Sequence, residues 1–338
     1  PDTGPAVPTV TRSDIRDGLL SMGIGPGDVV LVHSSLSAFG HVEGGADTVL
    51  DALLEVLTPS GTLVMPTFTW GDFHAAERVE FDTMNTPCET GRIPETFRLR
   101  PGVTRSLHVC HSVAVAGPGT DQVLGEGVSS FGPGSSFDGL LKLGAWILFL
   151  GVSFQCCTAL HAVEEFVGVP YRAHRNYEGS TVILPDRTRV PSRSIEYLRQ
   201  DRSSNDFAKM GDVFRSAGVL KEARIGAADC MGVRIQDLFR ITRPLLEQNT
   251  QFLSRERPRV SANEPDPVFE SLGEPLRVRE LSFQATTQDP DGYHILWACF
   301  LETVLNSTAL VGVRTDTGET IRHDLSHLGE GKVTLTRG

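Results

Sequence analysis

Positive charge is scarce in this 338-residue chain: 31 lysines and arginines stand against 42 aspartates and glutamates, for a net charge of −11. That shortage argues against a nucleic-acid partner, which requires a basic face, and suits a cationic small molecule. Long apolar runs are absent too. None approaches the roughly 18 residues needed to cross a bilayer, so no membrane association is expected. Residues 1–10 are proline-rich and polar, with neither a basic start nor the apolar core of a secretory signal. The six cysteines (Cys88, Cys110, Cys156, Cys157, Cys230 and Cys299) follow no spaced framework, and a chain of this length has core enough without disulfides. Cys156 and Cys157 are neighbours, closer than disulfide geometry favours. Reduced thiols in a cytoplasmic protein are the expectation. Internal repeats and low-complexity tracts are missing as well. The rest is ordinary for a globular protein, at 40% hydrophobic and 22% charged.

What is present is an alternation of helical and strand patterns. Residues 11–22 read as an amphipathic helix, with Thr11 as cap, Asp14 in the first turn, and Ile15, Leu19 and Leu20 as the apolar stripe. After the turn Gly25-Pro26-Gly27-Asp28, the branched run Val29-Val30-Leu31-Val32-His33 has the character of a buried strand. Residues 48–57 are helically spaced, and Thr62-Leu63-Val64-Met65-Pro66 is a second buried strand. Strand, helix and strand joined by short turns form the unit of a parallel sheet. Residues 67–100 lose the pattern and read as a long site loop, with Trp70, Phe73 and Asp82 as candidate ligand contacts or, equally, as loop packing, and a short helix at 93–99. Residues 113–117 read as a third buried strand. The Gly/Ser stretch 129–136 opens a helix at 137–143, either as a plain turn or as a backbone cradle for an anion.

Residues 171–199 read as short strands around Pro185-Asp186-Arg187, a hairpin on the sheet's edge. Helical segments are expected within 206–217 and 234–249, and a linker at 255–267, where apolar periodicity stops. Beyond it, 278–284, 293–301 and 310–314 are strand-like, with hairpin turns at Asp289-Pro290-Asp291-Gly292 and Asp316-Thr317-Gly318. The expected architecture is α/β: a mostly parallel central sheet flanked by helices over residues 11–258, and a small β-rich extension over 268–338.

The stretch Cys157-Thr158-Ala159-Leu160-His161-Ala162-Val163-Glu164-Glu165 concentrates the chemistry. It follows the apolar run Trp146-Ile147-Leu148-Phe149-Leu150-Gly151-Val152, a buried strand, and has helical spacing with Thr158 as a possible N-cap. His161 is therefore placed on the first turn of a helix past the carboxyl end of a strand, where ligands bind in open α/β sheets. Glu164 projects from the same face three residues on. A carboxylate beside an imidazole fixes its tautomer and raises its basicity, as a general base requires. The same spacing also occurs in ordinary surface pairs.

Several stretches then match a known family in order: His33-Ser34-Ser35-Leu36, Gly61-Thr62-Leu63-Val64-Met65-Pro66-Thr67-Phe68, Arg105-Ser106-Leu107-His108 with His111-Ser112-Val113-Ala114, Phe131-Gly132-Pro133-Gly134-Ser135, and the 146–164 block. Together they resemble the aminoglycoside 3-N-acetyltransferase family over residues 13–258. The resemblance implies a non-GNAT fold and direct transfer of an acyl group from acetyl-CoA to an amine. It implies His161 as the catalytic base and Glu164 as its orienting carboxylate. It also puts His33, Ser34, Ser35, Pro66, Thr67, Phe68, Arg105, Ser106, His108 and Ser112 on the CoA side. Arg105 is of a type that pairs with phosphate. Trp70, Phe73, Asp82 and Glu165 are expected on the acceptor side. The partners are then CoA and a small-molecule amine, with a homodimer as a further possibility. Val109 stands where the family usually has proline, and Gly134-Ser135-Ser136 replaces Gly-Ser-Pro, departures that bear on the acceptor more than on the chemistry. A natural-product pathway amine is thus the alternative acceptor.

Rival chemistries have less support. His108-x-x-His111 with His33, His161 and Cys110 is the nearest approach to a zinc set, but no second tight Cys/His pair accompanies it, and the expected metal is none. A hydrolase using Ser34 or Ser35 lacks a G-x-S-x-G elbow. An acyl-cysteine relay through Cys157 lacks a neighbour that would lower the thiol pKa. A CoA-binding protein without turnover is the non-catalytic alternative, and His161 with Glu164 speaks against it.

Overall fold

In a computed structural model, residues 9–255 are described apart from 71, 72, 74, 75, 77 and 202, together with six strands between 268 and 324. The chain divides into two compact units, residues 1–255 and 256–338. The first is built on a seven-stranded sheet whose middle strand is the branched run Val29–Ser34 (β1), with Val30, Leu31 and Val32 fully buried. The other strands, in chain order, are Thr62–Pro66 (β2), Thr104–Arg105 (β3), Val113–Ala116 (β4), Trp146–Leu150 (β5), Lys221–Ile225 (β6) and Ala228–Arg234 (β7). Their order across the sheet is β6-β7-β5-β1-β2-β4-β3.

Only the β5–β1 and β1–β2 pairings of this sheet are parallel. β7 is antiparallel to β5 and β6 to β7, while β4 is antiparallel to β2 and β3 to β4. The expected α/β architecture with helices flanking a central sheet is present, and the sheet is mixed, not strictly parallel. β4 is apolar throughout its first three residues and fully buried there, which marks a central strand without saying which way it runs. The β6–β7 hairpin was not expected at all. Lys221, Glu222 and Arg224 give β6 the polarity of an edge strand, and that edge lies here rather than at the hairpin around residues 185–187.

The sheet alternates its side chains between two core layers. Leu31, Val64, Ile147 and Phe149 pack on one face with the helices Ala159–Val167 (α3) and Ile235–Gln248 (α4). Val30, Val32, Leu63, Leu148 and Leu150 pack on the other with Arg12–Ser21 (α1) and Gly45–Leu57 (α2). α1 begins in a capping box: the Thr11 hydroxyl accepts from Asp14 N while the Asp14 carboxylate accepts from Thr11 N. α2 starts three residues earlier than its apolar spacing indicates, because Gly44 takes a left-handed φ of 76° and lets the helix begin at Gly45.

At the far end of the sheet two glycines meet. Gly117 follows β4 with φ 128°, and a Cβ there would stand 2.3 Å from the Gly61 carbonyl oxygen. Gly117→Ala is expected to cost about 1 to 3 kcal/mol through strain, seen as a lower urea midpoint with an unchanged slope.

Residues 172–199 do form antiparallel pairs, but away from the central sheet. Arg172–Asn176 pairs with Ile195–Arg199 as a two-stranded ribbon. Thr181–Ile183 pairs with Arg189–Pro191 across the expected turn and, on its other side, with Glu80–Asp82. In the second unit, Ser282–Gln288, His294–Cys299, Ala309–Arg314 and Thr320–Asp324 form a four-stranded antiparallel sheet, and Val268–Ser271 pairs with Glu274–Arg277. The two expected hairpin turns and the linker beyond Arg255 lie outside the described residues.

Candidate active site

β5 ends at Leu150, and Gly151, with φ 72°, turns the chain into a short 3-10 turn, Phe154–Cys156, before α3. Thr158 occupies the N-cap position in a helical conformation and makes no side-chain cap; its hydroxyl turns back to the Cys156 carbonyl at 3.4 Å. One turn later His161 Nδ1 lies 2.5 Å from Glu164 Oε2. Nδ1 therefore carries the proton toward the carboxylate, and Nε2 is the basic nitrogen. The ring sits between Phe131 and Phe207, with centroids 5.1 and 4.9 Å away, and its side chain is 14% exposed.

Glu164 is fully buried, which requires partners for both oxygens. Tyr171 Oη donates to Oε1 at 2.6 Å, and Arg172 Nε lies 2.8 Å from Oε2. Arg199 Nη2 is 3.9 Å from Oε1, and its guanidinium stacks over Tyr171 at 4.4 Å. Burial would raise the Glu164 pKa, but the imidazole, the guanidinium and the phenol outweigh it and hold the carboxylate well below its usual range. Burial and the Arg172 charge pull His161 from 6.5 down to about 4, against an opposing pull from Glu164. The imidazole is neutral at physiological pH. Tyr171, Arg172 and Arg199 escaped the sequence reading because they follow the Gly168 C-cap on irregular chain and a polar ribbon, where no periodicity points at a helix-borne carboxylate.

At the carboxyl end of β1, Ser34 and Ser35 border a cavity of about 550 Å³ also lined by Leu36, His41, Gly45 and Arg92. Gly45 begins α2, so a helix N-terminus and a cation share this cavity. Ser34 Oγ and His33 Nε2 are buried without a protein partner, and the His33 ring stacks on Phe149 at 5.4 Å. Burial alone lowers the His33 pKa from 6.5 to about 4. An unfolded chain takes up that proton between those values while the folded chain refuses it, so stability falls as pH drops through this window. Urea midpoints at pH 7 and pH 5 are expected to differ, and the difference to shrink in His33→Leu.

The remaining residues expected on the CoA side are interior and bonded to one another. Arg105 Nε meets the hydroxyls of Thr67 and Ser112 at 3.2 and 3.0 Å, Nη2 donates to the Thr67 carbonyl at 2.6 Å, and Nη1 donates to that of Thr86. Its guanidinium also covers Phe81 at 4.6 Å. Arg105 thus ties β2, β3 and the 80s loop together, and the phosphate role expected of it does not fit. Ser106 accepts from Val113 N, Ser112 donates to the Thr67 carbonyl, and the Pro66 carbonyl accepts from Thr90. His108 has both ring nitrogens engaged: Nδ1 accepts from the amides of Cys110 and His111, and Nε2 meets Ser130 Oγ and the Ile195 carbonyl. That leaves it no lone pair for zinc. Phe68 is buried edge-on to His111 at 5.1 Å.

The expected acceptor residues divide. Trp70 leans on Phe68 at 5.5 Å, and Phe68, His111 and Phe131 continue ring to ring to His161. Glu165, one turn beyond His161 on the same face, holds His174 at 3.0 Å and Ser129 at 3.4 Å through Oε1, while Oε2 is buried without a partner. Phe73 instead packs edge-on to Phe81 in a separate cluster. Asp82 is bound by Arg187 at 2.6 Å and by the Met84 and Asn85 amides, the fastening of a turn. Ser34 Oγ has no hydrogen-bond partner among the described residues, Ser35 Oγ meets the Ser37 hydroxyl at 3.2 Å, and burial drives the Cys157 thiol upward, so none of the three rival nucleophiles is activated.

Known proteins resemble this chain in both sequence and fold. Residues 31–247 match the family model for aminoglycoside 3-N-acetyltransferase. Aminoglycoside N(3)-acetyltransferase VII of Streptomyces paromomycinus is 31% identical over 248 residues, which span 65% of this chain and 85% of that protein. Among solved structures, aminoglycoside acetyltransferase AAC(3)-Xa superposes with a TM-score of 0.63 at 29% identity, over 72% of this chain and 94% of its own. A mutant of AAC(3)-IVa in complex with a gentamicin gives 0.61 at 26% identity, over 73% and 92%.

Proposed function

The chain belongs to the aminoglycoside 3-N-acetyltransferase family, and from that premise we propose that it moves an acetyl group from acetyl-CoA to a primary amine of an aminoglycoside or amino-sugar-like acceptor, with His161 as the base. The observation that carries this reading is the buried His161–Glu164 pair, set just past the carboxyl end of β5 with Nε2 basic. As the free amine attacks the thioester carbonyl, its nitrogen becomes cationic, and Nε2 takes that proton. The tetrahedral adduct then collapses, the C–S bond breaks, and CoA leaves as a thiolate to which the imidazolium returns the proton.

The cavity at Ser34, Ser35, Gly45 and Arg92 suits the donor, since a helix N-terminus and a guanidinium both favour a phosphate-bearing arm. The orphaned Ser34 hydroxyl, which lines this cavity, fits a polar group of that arm. Glu165 and the net charge of −11 suit a cationic acceptor, and the gentamicin held by one structural neighbour supports an aminoglycoside-like one. A cytoplasmic location accords with a CoA-dependent reaction. The test is thiol release from acetyl-CoA against a panel of aminoglycosides, amino sugars and amino acids, with acetylated product identified by mass. Release dependent on an amino sugar upholds the reading. Absence of both release and CoA-induced thermal stabilisation would sink it.

A further inference from the structure

The carboxylate that supports His161 is shared. Glu164 Oε2 faces the imidazole Nδ1 at 2.5 Å and the Arg172 guanidinium at 2.8 Å. Arg172 is itself 6% exposed and fixed at its other end, donating to the Tyr197 carbonyl at 3.2 Å and to Asn205 Oδ1 at 2.9 Å. Across the ribbon Arg199 pairs in register with Arg172, which places two like charges opposite each other, normally an unfavourable arrangement. Glu164 and Asp201, the latter 3.2 Å from Arg199, offset them. Asp201 is exposed, so the buried members Arg172, Arg199 and Glu164 sum to one positive charge with His161 neutral, and a proton on the imidazole adds a second.

We propose that Arg172 is a positioning residue of the reaction: by sharing Glu164 Oε2 it fixes the carboxylate and keeps His161 neutral, ready to receive the amine proton. This rests on the reading of His161 as the base. An isolated His–Glu pair would favour imidazolium, because the carboxylate's whole charge would face the ring. Here a cation of equal size stands on the same oxygen. The other ionisable groups around the ring do not compensate. Glu165, on the same helix, is turned to Ser129 and His174. Tyr171 and Tyr197 stay protonated, raised by burial and by Glu164. Beyond Phe207, Asp206 and Lys209 form their own pair at 3.0 Å, and beyond Phe131, His111 meets Ser130 and lies 3.8 Å from Glu196. Burial is the largest influence holding the His161 pKa down, and the charges of Arg172 and then Arg199 add to it, in agreement with this layout.

The experiment is an NMR titration of the His161 ring in the full chain, assigned by its loss in His161→Ala, together with the pH dependence of kcat. In the parent, His161 is expected to stay neutral through pH 5 to 8. In Arg172→Gln its midpoint rises by about 1 to 3 pH units, and kcat acquires an acid limb at that midpoint while recovering at higher pH. Arg172→Lys, which keeps the charge, holds the midpoint low. Arg199→Gln, a milder change at longer range, gives a smaller rise and serves if Arg172→Gln does not fold. A His161 midpoint unchanged from the parent's in both glutamine variants overturns the proposal, as does an equal rise in Arg172→Lys. The titration reads protonation without turnover, so a failure of His161 as base, seen in the activity of His161→Ala, is recognised separately.

Discussion

His161→Ala is expected to lower kcat by about 10² to 10⁴-fold, the range that one positioned acid–base group contributes. The loss follows from geometry. Nε2 is the nitrogen left basic by the Nδ1–Glu164 bond, and the ring is held between Phe131 and Phe207. Donor binding should survive, because the cavity that suits it is lined from β1, α2 and residues 91–92 and not from α3. The check is thiol-release kinetics with a saturating amine, alongside thermal stabilisation by CoA. A fall in kcat with stabilisation intact is the expected pattern. Turnover within about tenfold of the parent would remove His161 from the mechanism, since a general base rarely contributes so little.

Glu164→Ala should be the most destabilising of the site substitutions, at about 3 to 5 kcal/mol, the usual cost of leaving one member of a buried ion pair unmatched. Its side chain is fully buried, and removing it strands the Arg172 guanidinium and the Tyr171 hydroxyl together. Glu164→Gln keeps the volume and one oxygen acceptor, so it should unfold at an intermediate urea concentration. Its kcat should also fall, because the influence that raises the basicity of His161 has gone. The stability contributed by the ionised carboxylate is complete above the ordinary 4.5 and is lost as pH falls below it. Acid unfolding of the parent should therefore begin to steepen below pH 4.5, and that component should vanish in Glu164→Gln. Urea midpoints for both variants equal to the parent's would show that the pair carries no structural weight.

The sequence made the middle of the sheet legible because β1, β2 and β5 are short apolar runs bounded by glycine turns, and it made His161 and Glu164 legible because they lie on one helix three residues apart. Direction and partnership were harder. β4 is apolar like its neighbours, and hydrophobicity does not distinguish a strand that returns antiparallel from one that crosses over. The Arg105-Ser106 stretch and His108 were expected at a ligand and are found inside, bonded to Thr67, Thr86, Ser112, Ser130 and Ile195. A polar motif looks the same in sequence whether it faces a substrate or satisfies the backbone of a neighbouring loop. The outer partners of Glu164 were invisible for a related reason. Arg172 and Arg199 arrive from a ribbon 8 and 35 residues further along the chain, and only the folded register brings them opposite each other.

That ribbon gives the reaction centre a durability of its own. Two strands without a third are marginal in isolation, and the pair Arg172–Asn176 and Ile195–Arg199 belongs to no larger sheet, being extended by a bridge from Ile195 to Ser129 at one end. Its brief openings would detach both guanidinia from Glu164 while β1, β2 and β5 stay zipped. Amide hydrogens of residues 172–176 should then exchange sooner than those of Val30 to Val32, since protection is lost segment by segment. On warming, catalysis should fade ahead of the cooperative melt, and the enzyme would fall silent before it came apart.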